Sequence, residues 1–417
     1  MYTKLRDSLT TTATEQPRER GAGWRVPRNV VNLGLTSLFT DISSEMVSTV
    51  LPLYLVFTLR MTTLQLGAVD GVYQGATALM RLVAGVTADH SGRHKEVALA
   101  GYGLSAVCKL GLLAVGGAFA PLVGVIVADR AGKGLRTAPR DALISLSVPP
   151  ERLGLAFGVH RALDTGGALL GPLVAFALLT LLPGRFDAVF MVSFCVALIG
   201  VAVLGVLVEG RRSEHVPSRR MAIGAMVTLL RVPRFRLLVA AGAALALATV
   251  ADAFVYLALQ HRNSFSPTLL PVLYVLTSLV YLVLAIPAGR LADRVGRGRV
   301  MVAGYVALAA VYLALLAPVD GLFLVLGSLL LFGVYYACTD GVMSALASAV
   351  LPAEHRGAGL ALVGTGVALS QLVSSLLFGG LWTFVGLRTA VLVFLAGLAV
   401  AVCLLAIGLA RTRTAPA

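Results

Sequence analysis

Residues 85–95 read Gly85-Val-Thr-Ala-Asp89-His-Ser-Gly92-Arg93-His-Lys95, and residues 289–299 read Gly289-Arg-Leu-Ala-Asp293-Arg-Val-Gly296-Arg297-Gly-Arg299. Both stretches follow the pattern G-x-x-x-D-x-x-G-R-x-[KR], and each one separates two long apolar segments. The two aspartates are 204 residues apart in a chain of 417 residues, so the spacing is close to half the chain. This repeat predicts an internally duplicated membrane protein.

The composition also indicates a membrane protein. Apolar residues make up 58% of the chain and charged residues 13%, whereas soluble domains carry about 25% charged residues. A spanning helix needs about 20 apolar residues. The apolar segments predict twelve such helices, at 29–59, 65–88, 95–118, 120–143, 154–182, 186–209, 236–261, 266–291, 298–319, 321–346, 355–384 and 387–411.

We therefore expect an all-α polytopic membrane protein whose 12 transmembrane helices form two six-helix repeats. Its predicted parts are an N-terminal tail (1–28), a first half (29–209), a polar linker (210–235), a second half (236–411) and a C-terminal tail (412–417). Residues 148–154 (Val-Pro-Pro-Glu-Arg-Leu-Gly) also parallel residues 351–357 (Leu-Pro-Ala-Glu-His-Arg-Gly). Parallel repeats of this kind are typical of transporters whose binding site lies between the halves.

The net charge of +14 is distributed in a way that predicts membrane topology rather than nucleic-acid binding. Arginine and lysine are concentrated in the N-terminal tail, the two motif loops and the central linker, while the opposite loops hold Arg60, Arg185, Arg262 and Arg388. Under the positive-inside rule, both termini and both motif copies lie in the cytoplasm. Thirty arginines against four lysines are typical of a GC-rich genome, so we expect the cytoplasmic membrane of a bacterium.

Beyond its tail, the chain resembles the major facilitator superfamily of transporters over its whole length. The motif at 85–95 resembles a loop signature of that superfamily, and Arg130-Ala-Gly-Lys-Gly134 resembles its arginine motif. Gly167-Ala-Leu-Leu-Gly171-Pro172 resembles the glycine–proline motif of its proton-driven exporters. His90 departs from the usual basic residue, which the second copy keeps as Arg294. The resemblance implies a prokaryotic protein similar to twelve-helix drug/proton antiporters, with two halves that rock about a central cavity.

The repeated motif is a predicted gate at the cytoplasmic face, because its glycines permit close approach of helix ends. The gate comprises Gly85, Asp89, Gly92, Arg93, Arg152, Gly289, Asp293, Gly296, Arg297 and Arg356. The resemblance implies that Asp89 lies near Arg356 and, by symmetry, that Asp293 lies near Arg152. These pairs would hold the outward-open state; the alternative is a loop that only fixes topology.

Two acids in the first span, Asp41 and Glu45, are predicted coupling residues. At positions i and i+4 they share one helical face. A charge inside a spanning helix costs roughly 2.5–3.5 kcal/mol unless it is paired or hydrated. Two neighbouring carboxylates resist simultaneous ionisation, so one of them can carry a proton near neutral pH. The alternative is permanent pairing with basic residues.

Further charges in the first half extend this predicted site, namely Lys109, Arg130, His160, Arg161 and Asp164. Arg130 falls near mid-membrane, where it is a candidate partner of a protonatable acid. His160 and Asp164 are again at i and i+4, which predicts either a hydrogen-bonded relay or a static buried pair. Lys109 is expected to line the cavity or to pair with an acid.

The second half holds two acids within its predicted spans, Asp252 and Asp340, with Tyr336 close to the latter. Such acids can contact a cationic substrate and the tyrosine can stack on it; the alternative is helix packing. Gly167, Gly171 and Pro172 predict close helix approach and a bend. Only the resemblance connects that run with export.

Together these features predict a proton-coupled exporter of a small amphipathic organic molecule. It acts as a monomer in the lipid bilayer, with protons and a small-molecule substrate as its partners and no nucleic acid. One alternative is transport of an organic anion, which several cations favour: Arg81, Lys109, Arg130, Lys133, Arg136 and Arg161. Another is export of a divalent metal bound by Asp41, Glu45, His160 and Asp164.

A membrane enzyme or a transport-dead sensor is disfavoured, because the sequence holds no nucleophile–base signature, phosphate loop or long soluble insertion. It holds no ATP-binding motif either, so an ion gradient is the expected energy source. The four cysteines lie inside predicted spans without metal-ligand spacing, which predicts no resident metal and no cofactor.

Overall fold

The computed structural model describes residues 26–76, 93–149, 152–210, 232–340, 343, 346 and 356–414, and the regular structure of these residues is helical. The first half contains α1 (Arg28–Leu53), α2 (63–76), α3 (His94–Ala114), α4 (Phe119–Leu146), α5 (Leu153–Leu181) and α6 (Phe186–Ala202). The second half contains α7 (Pro233–Leu247), α8 (Asp252–Asn263), α9 (Leu270–Val295), α10 (Arg297–Leu316), α11 (Leu322–Thr339), α12 (Arg356–Val385) and α13 (Leu387–Thr414). Short π-helical turns at Tyr54–Thr58 and Val203–Leu207 extend α1 and α6.

Most of these helices are suited to a hydrocarbon environment, in which every backbone polar group must be bonded internally. Among the described residues, nine helical segments are long and apolar enough to cross a membrane, with α7 and α8 forming one segment together. Their outer faces expose large apolar side chains, such as Phe323 at 92% and Val206 at 80%. Two further long helices, α1 and α4, are not among these nine segments. Both carry acids or bases within their length.

The duplication is visible in the packing of the helices. In the first half α1 packs against α5, and α3 packs against α4 and α6. In the second half α7 packs against α12, and α10 packs against α11 and α13. These are equivalent pairs when α7 and α8 are counted as one span. The two halves meet where α9 contacts α5 and α1, and where α2 contacts α12.

Contact between α2 and α12 is made by backbone rather than by long side chains. A Cβ atom at Gly67 would lie 2.2 Å from the carbonyl oxygen of Ser375, and one at Gly379 would lie 2.3 Å from that of Thr63. The Oγ1 atoms of Thr63 and Thr383 are 2.7 Å apart. Glycine is therefore required for the two halves to approach this closely at the end of the bundle where α2 begins.

The predicted span at 236–261 is not one continuous helix. It is interrupted at residues 248–251, between α7 and α8. The Tyr312 hydroxyl accepts a hydrogen bond from Val250 N at 2.7 Å and donates one to Ala248 O at 3.1 Å. The Ser374 hydroxyl donates to Thr249 O at 2.6 Å. The predicted span is confirmed, since Phe235–Asn263 is long and apolar enough to cross a membrane. Side chains of neighbouring helices satisfy the freed backbone groups, which permits the unwound turn within it.

The predicted span at 321–346 is likewise not one continuous helix. The helix α11 ends at Thr339, and Asp340 follows in extended backbone with φ −65° and ψ 138°. Asp340 therefore lies beyond the helix end rather than within a continuous helix.

The hydroxyl of Tyr312 is expected to stabilise the break between α7 and α8. We expect Tyr312→Phe to lower the melting temperature of the purified protein, because a buried carbonyl and amide lose their partner at a cost of about 1–3 kcal/mol. The matched control is Tyr102→Phe, since the buried Tyr102 hydroxyl has no hydrogen-bond partner among the described residues. Equal melting temperatures for the two variants would contradict the assigned role of Tyr312.

Candidate functional site

A cavity of about 360 Å³ lies between the two halves, lined by described residues of α1, α2, α4, α8, α9, α11, α12 and the α7–α8 break. Its acidic and basic side chains are Glu45, Asp70, Asp252 and Lys133. Its tyrosines are Tyr73, Tyr274, Tyr335 and Tyr336. The unwound turn supplies Thr249, Val250 and Ala251 to the wall. The lining thus combines charge, aromatic rings and exposed backbone, a combination suited to a small organic ligand.

Each carboxylate of the cavity accepts a hydrogen bond from a hydroxyl group. The Ser48 hydroxyl donates to Glu45 Oε2 at 2.7 Å, and the Ser375 hydroxyl donates to Asp70 Oδ2 at 2.5 Å. The Tyr336 hydroxyl donates to Asp252 Oδ1. The bond between Asp70 and Ser375 joins α2 of the first half to α12 of the second half.

Asp70 was missing from the predicted site, although Glu45, Asp252 and Tyr336 were included. A signal was present, because Asp70 is an acid inside the apolar segment predicted at 65–88. An ionisable residue within a spanning segment is by default a functional candidate.

Asp129 neutralises two of the buried cations of the first half. It forms ion pairs with Arg130 and with Lys109, the latter at 3.2 Å, and it accepts a hydrogen bond from the Ser105 hydroxyl. The Arg130 guanidinium also lies 3.8 Å from the ring centroid of Tyr73, a cation–π arrangement. The acid partner expected for Arg130 is therefore its own neighbour in the sequence, and the alternative in which Lys109 pairs with an acid is the one observed.

A second charged cluster contains a pair of carboxyl groups. Asp41 of α1 and Asp164 of α5 lie where these two helices pack together, and the two carboxyl groups act on each other. Arg136 Nη2 lies 3.8 Å from Asp41 Oδ1, and Arg140 Nη1 lies 3.9 Å from Asp164 Oδ1. Two neighbouring carboxyl groups resist simultaneous ionisation, so the pair is a place where a proton can reside.

The glycine–proline run of α5 brings this carboxyl pair together. A Cβ atom at Gly167 would lie 2.5 Å from the carbonyl oxygen of Leu38 and 3.1 Å from Asp41 Cβ. A Cβ atom at Gly171 would lie 2.7 Å from Glu45 Cβ. The two glycines therefore permit α5 to pack directly on the face of α1 that carries Asp41 and Glu45, and Pro172 follows within the same helix.

Three predicted site residues occupy other positions. His160 Nε2 is 2.9 Å from the hydroxyl of Ser37, so the predicted relay to Asp164 is replaced by a bond to α1. Arg161 pairs with Asp164 at 3.4 Å, but 75% of its side chain is exposed. Asp340 is exposed and accepts a hydrogen bond from the Tyr281 hydroxyl at 2.8 Å, outside the cavity lining.

Part of the predicted gate falls on residues that the structure does not describe. Gly85, Asp89, Gly92 and the side chain of Arg356 lie outside the described residues, so the contact between Asp89 and Arg356 stays a prediction.

In the second copy, Gly296 adopts φ 109° between α9 and α10, a backbone conformation that favours glycine. Asp293 accepts a hydrogen bond from Arg297 at 3.3 Å. The predicted contact between Asp293 and Arg152 stays a prediction, as do the roles of Arg93 and Gly289.

Within the described ranges, no group of three or more histidine, cysteine, aspartate or glutamate side chains is arranged to hold a metal ion. The four residues considered for a metal site contact different partners. Glu45 lines the central cavity, whereas His160 is bonded to Ser37 and Asp41 faces Asp164.

Comparisons with a family model and with known sequences indicate the same family. The sequence model of the Major Facilitator Superfamily matches residues 33–266 and 237–417. An uncharacterized MFS-type transporter of Methanocaldococcus jannaschii is 30% identical over 361 residues, which cover 85% of this chain and 88% of the relative. An uncharacterized protein of Mycobacterium tuberculosis is 34% identical over 160 residues, 38% of each chain.

Solved structures of transporters share the fold. A variant of the nucleoside transporter NupG superposes with a TM-score of 0.77 at 15% identity, covering 91% of this chain and 99% of that one. A POT family transporter in complex with 5-aminolevulinic acid gives 0.74 at 15% identity, with coverage of 92% and 96%. A bacterial homologue of the human lysosomal transporter Spinster gives 0.69 at 15% identity, with coverage of 92% and 97%. At this identity the likeness concerns the fold alone.

Asp129 is expected to be essential for the stability of the first half. We expect Asp129→Asn to destabilise the protein by about 3–5 kcal/mol, because Lys109 and Arg130 lose the charge that they share. Thermal unfolding of the purified protein measures this loss. Adding Lys109→Met to Asp129→Asn is expected to recover part of it, since one unpaired cation is removed.

The control is Asp187→Asn, which breaks the exposed ion pair between Arg185 and Asp187 and is expected to leave the melting temperature unchanged. A double variant less stable than Asp129→Asn alone would contradict the pairing.

Proposed function

The chain belongs to the Major Facilitator Superfamily and is a secondary transporter, not an enzyme, and on this premise we propose that it is a proton-coupled exporter of a small amphipathic organic molecule. Alternating access would move the two six-helix halves about the cavity that lies between them. The volume of that cavity, about 360 Å³, falls in the range of small-molecule sites. We further propose a monomer in a bacterial cytoplasmic membrane with both termini in the cytoplasm.

The observation that carries proton coupling is the carboxyl pair of Asp41 and Asp164 between Arg136 and Arg140. With one proton bound, the two carboxyl groups attract each other through a hydrogen bond. Without it, two negative charges repel each other and each is drawn to its arginine. Gain or loss of one proton therefore changes the force between α1 and α5.

The position of α1 connects this pair to the cavity. Asp41 and Glu45 lie one turn apart on α1, and Glu45 is part of the cavity lining. Because Gly167 and Gly171 leave no space between α1 and α5, a change at the carboxyl pair moves the wall that carries Glu45. A buried titratable pair beside a substrate cavity is the arrangement that ties proton movement to a change of shape.

The contacts of the described residues remove much of the support for the organic-anion alternative. Lys109 and Arg130 are paired with Asp129, and Arg136 lies beside Asp41. Arg81 lies outside the described residues. Lys133 is the one base in the described lining of the cavity, which holds three acids. Most of the cations noted in the sequence are therefore paired with acids and do not line the cavity.

Gradient-driven transport tests the coupling role. The substrate is first found by thermal stabilisation over a panel of amines, carboxylates, nucleosides and peptides, since binding raises the apparent stability. In proteoliposomes with an imposed pH gradient, we expect Asp41→Asn and Asp164→Asn to lower uphill accumulation at least about tenfold, the scale of a coupling free energy. Exchange without a gradient is expected to persist, because the cavity is intact.

The control is Asp187→Asn, the same chemical change at an exposed position, which is expected to accumulate substrate as the wild type does. Full uphill transport by Asp41→Asn would exclude that residue from coupling.

A further inference from the structure

The acids of the central cavity come from both halves of the protein. Glu45 lies on α1 and Asp70 on α2, whereas Asp252 lies at the start of α8, and all three contribute to the lining. All three carboxyl groups line one cavity of about 360 Å³. Three acids face a single base, Lys133, among the described residues of the lining. The cavity therefore has an excess of negative charge.

The bonds of these acids orient the carboxylates without neutralising them. Asp41, Asp129 and Asp164 outside the lining each lie beside an arginine. The cavity acids instead accept hydrogen bonds from neutral hydroxyl groups. A hydroxyl donor fixes the position of a carboxylate oxygen but leaves the negative charge in place. A carboxylate can accept about four hydrogen bonds, so capacity remains for a ligand.

Helix geometry also favours a negative charge at one of these positions. Asp252 is the first residue of α8, directly after the unwound turn. The N-terminus of a helix carries a partial positive charge, which stabilises a carboxylate in the first turn. The carboxylate of Asp252 is thus held at the cavity wall by the helix end and by the hydroxyl of Tyr336.

The remaining lining matches the body of an organic cation. Aromatic faces attract cations, and Tyr73 already binds the guanidinium of Arg130 in this way. Tyr274, Tyr335 and Tyr336 line the opposite, second-half side of the cavity. Apolar side chains complete the wall: Leu51, Leu55, Leu66 and Val69. A ligand with a positive head and an apolar body would satisfy both parts of the lining.

We propose that this cavity binds an organic ammonium ion, with Asp70, Glu45 and Asp252 as the residues that recognise its charge. This inference rests on the proposed transport function and specifies its substrate class. Because Asp70 belongs to the first half and Asp252 to the second, a cation held by both carboxylates draws the two halves together. Occupancy of the cavity then acts directly on the interface at which the halves move.

Equilibrium binding tests the proposal without a pH gradient. The probe is benzylammonium, compared with benzyl alcohol and phenylacetate, at about pH 8, well above the ordinary pKa of a carboxyl group. Calorimetry and thermal shift on the purified full chain are expected to detect binding of the ammonium probe and no comparable binding of the other two. Binding of phenylacetate without binding of the ammonium probe would overturn the proposal.

Neutral, isosteric variants locate the site. Asp70→Asn and Asp252→Asn are each expected to weaken binding of the ammonium probe at least about tenfold, the effect of removing about 1.4 kcal/mol. Asp187→Asn, an exposed position, is expected to bind as the wild type does. If Asp252→Asn fails to fold, Tyr336→Phe serves instead, because it keeps the carboxylate and removes the hydroxyl that positions it. Unchanged affinity in all cavity variants would overturn the assignment.

The test of the substrate class can fail independently of the test of proton coupling. Loss of gradient-driven transport in the Asp41 variant, together with failure of the ammonium probe to bind, would leave proton coupling intact and refute the substrate class. Binding of the probe that depends on Asp70 and Asp252, together with full uphill transport by Asp41→Asn, would support the substrate class and refute the coupling role.

Discussion

A charge in the hydrocarbon interior must either be paired with a neighbour or face a hydrated cavity, and α4 carries six charged side chains between Asp129 and Asp141. The arrangement of the first half follows from this constraint. Lys109 of α3 and Arg130 share Asp129, while Arg136 and Arg140 lie beside acids of α1 and α5. Three helices are thus fixed around α4 by ion pairs, and the carboxyl pair proposed to carry a proton is one product of that arrangement.

Features that depend on residues close together in the sequence can be predicted from it, whereas features that depend on contacts between distant residues cannot. The duplicated motif and the apolar segments are local patterns, and they predict the fold class. The face of α1 that carries Asp41 and Glu45 is likewise set by helical spacing, and its contact with α5 is indicated by Gly167 and Gly171. The break between α7 and α8 has no such signal. Residues 248–251 contain neither glycine nor proline, and the partners of the break, Tyr312 and Ser374, are distant in the sequence.

The two halves repeat one fold but supply different chemistry to the cavity. The first half concentrates charge around Asp129 and around the carboxyl pair, at the side of the cavity. The second half supplies an unwound turn, an acid at a helix start and three tyrosines. In the proposed cycle the first half handles the proton, and both halves contribute to the surface for the cargo. Asp70 of the first half and Ser375 of the second half are hydrogen-bonded to each other across the interface.

The glycine contact between α2 and α12 is made by backbone, glycine and two threonine hydroxyls, and these atoms carry no net charge. Its strength depends on steric fit and on short hydrogen bonds, neither of which is screened by dissolved ions. This end of the interface is therefore insensitive to ionic strength. We expect this contact to hold equally well in dilute and in concentrated electrolyte.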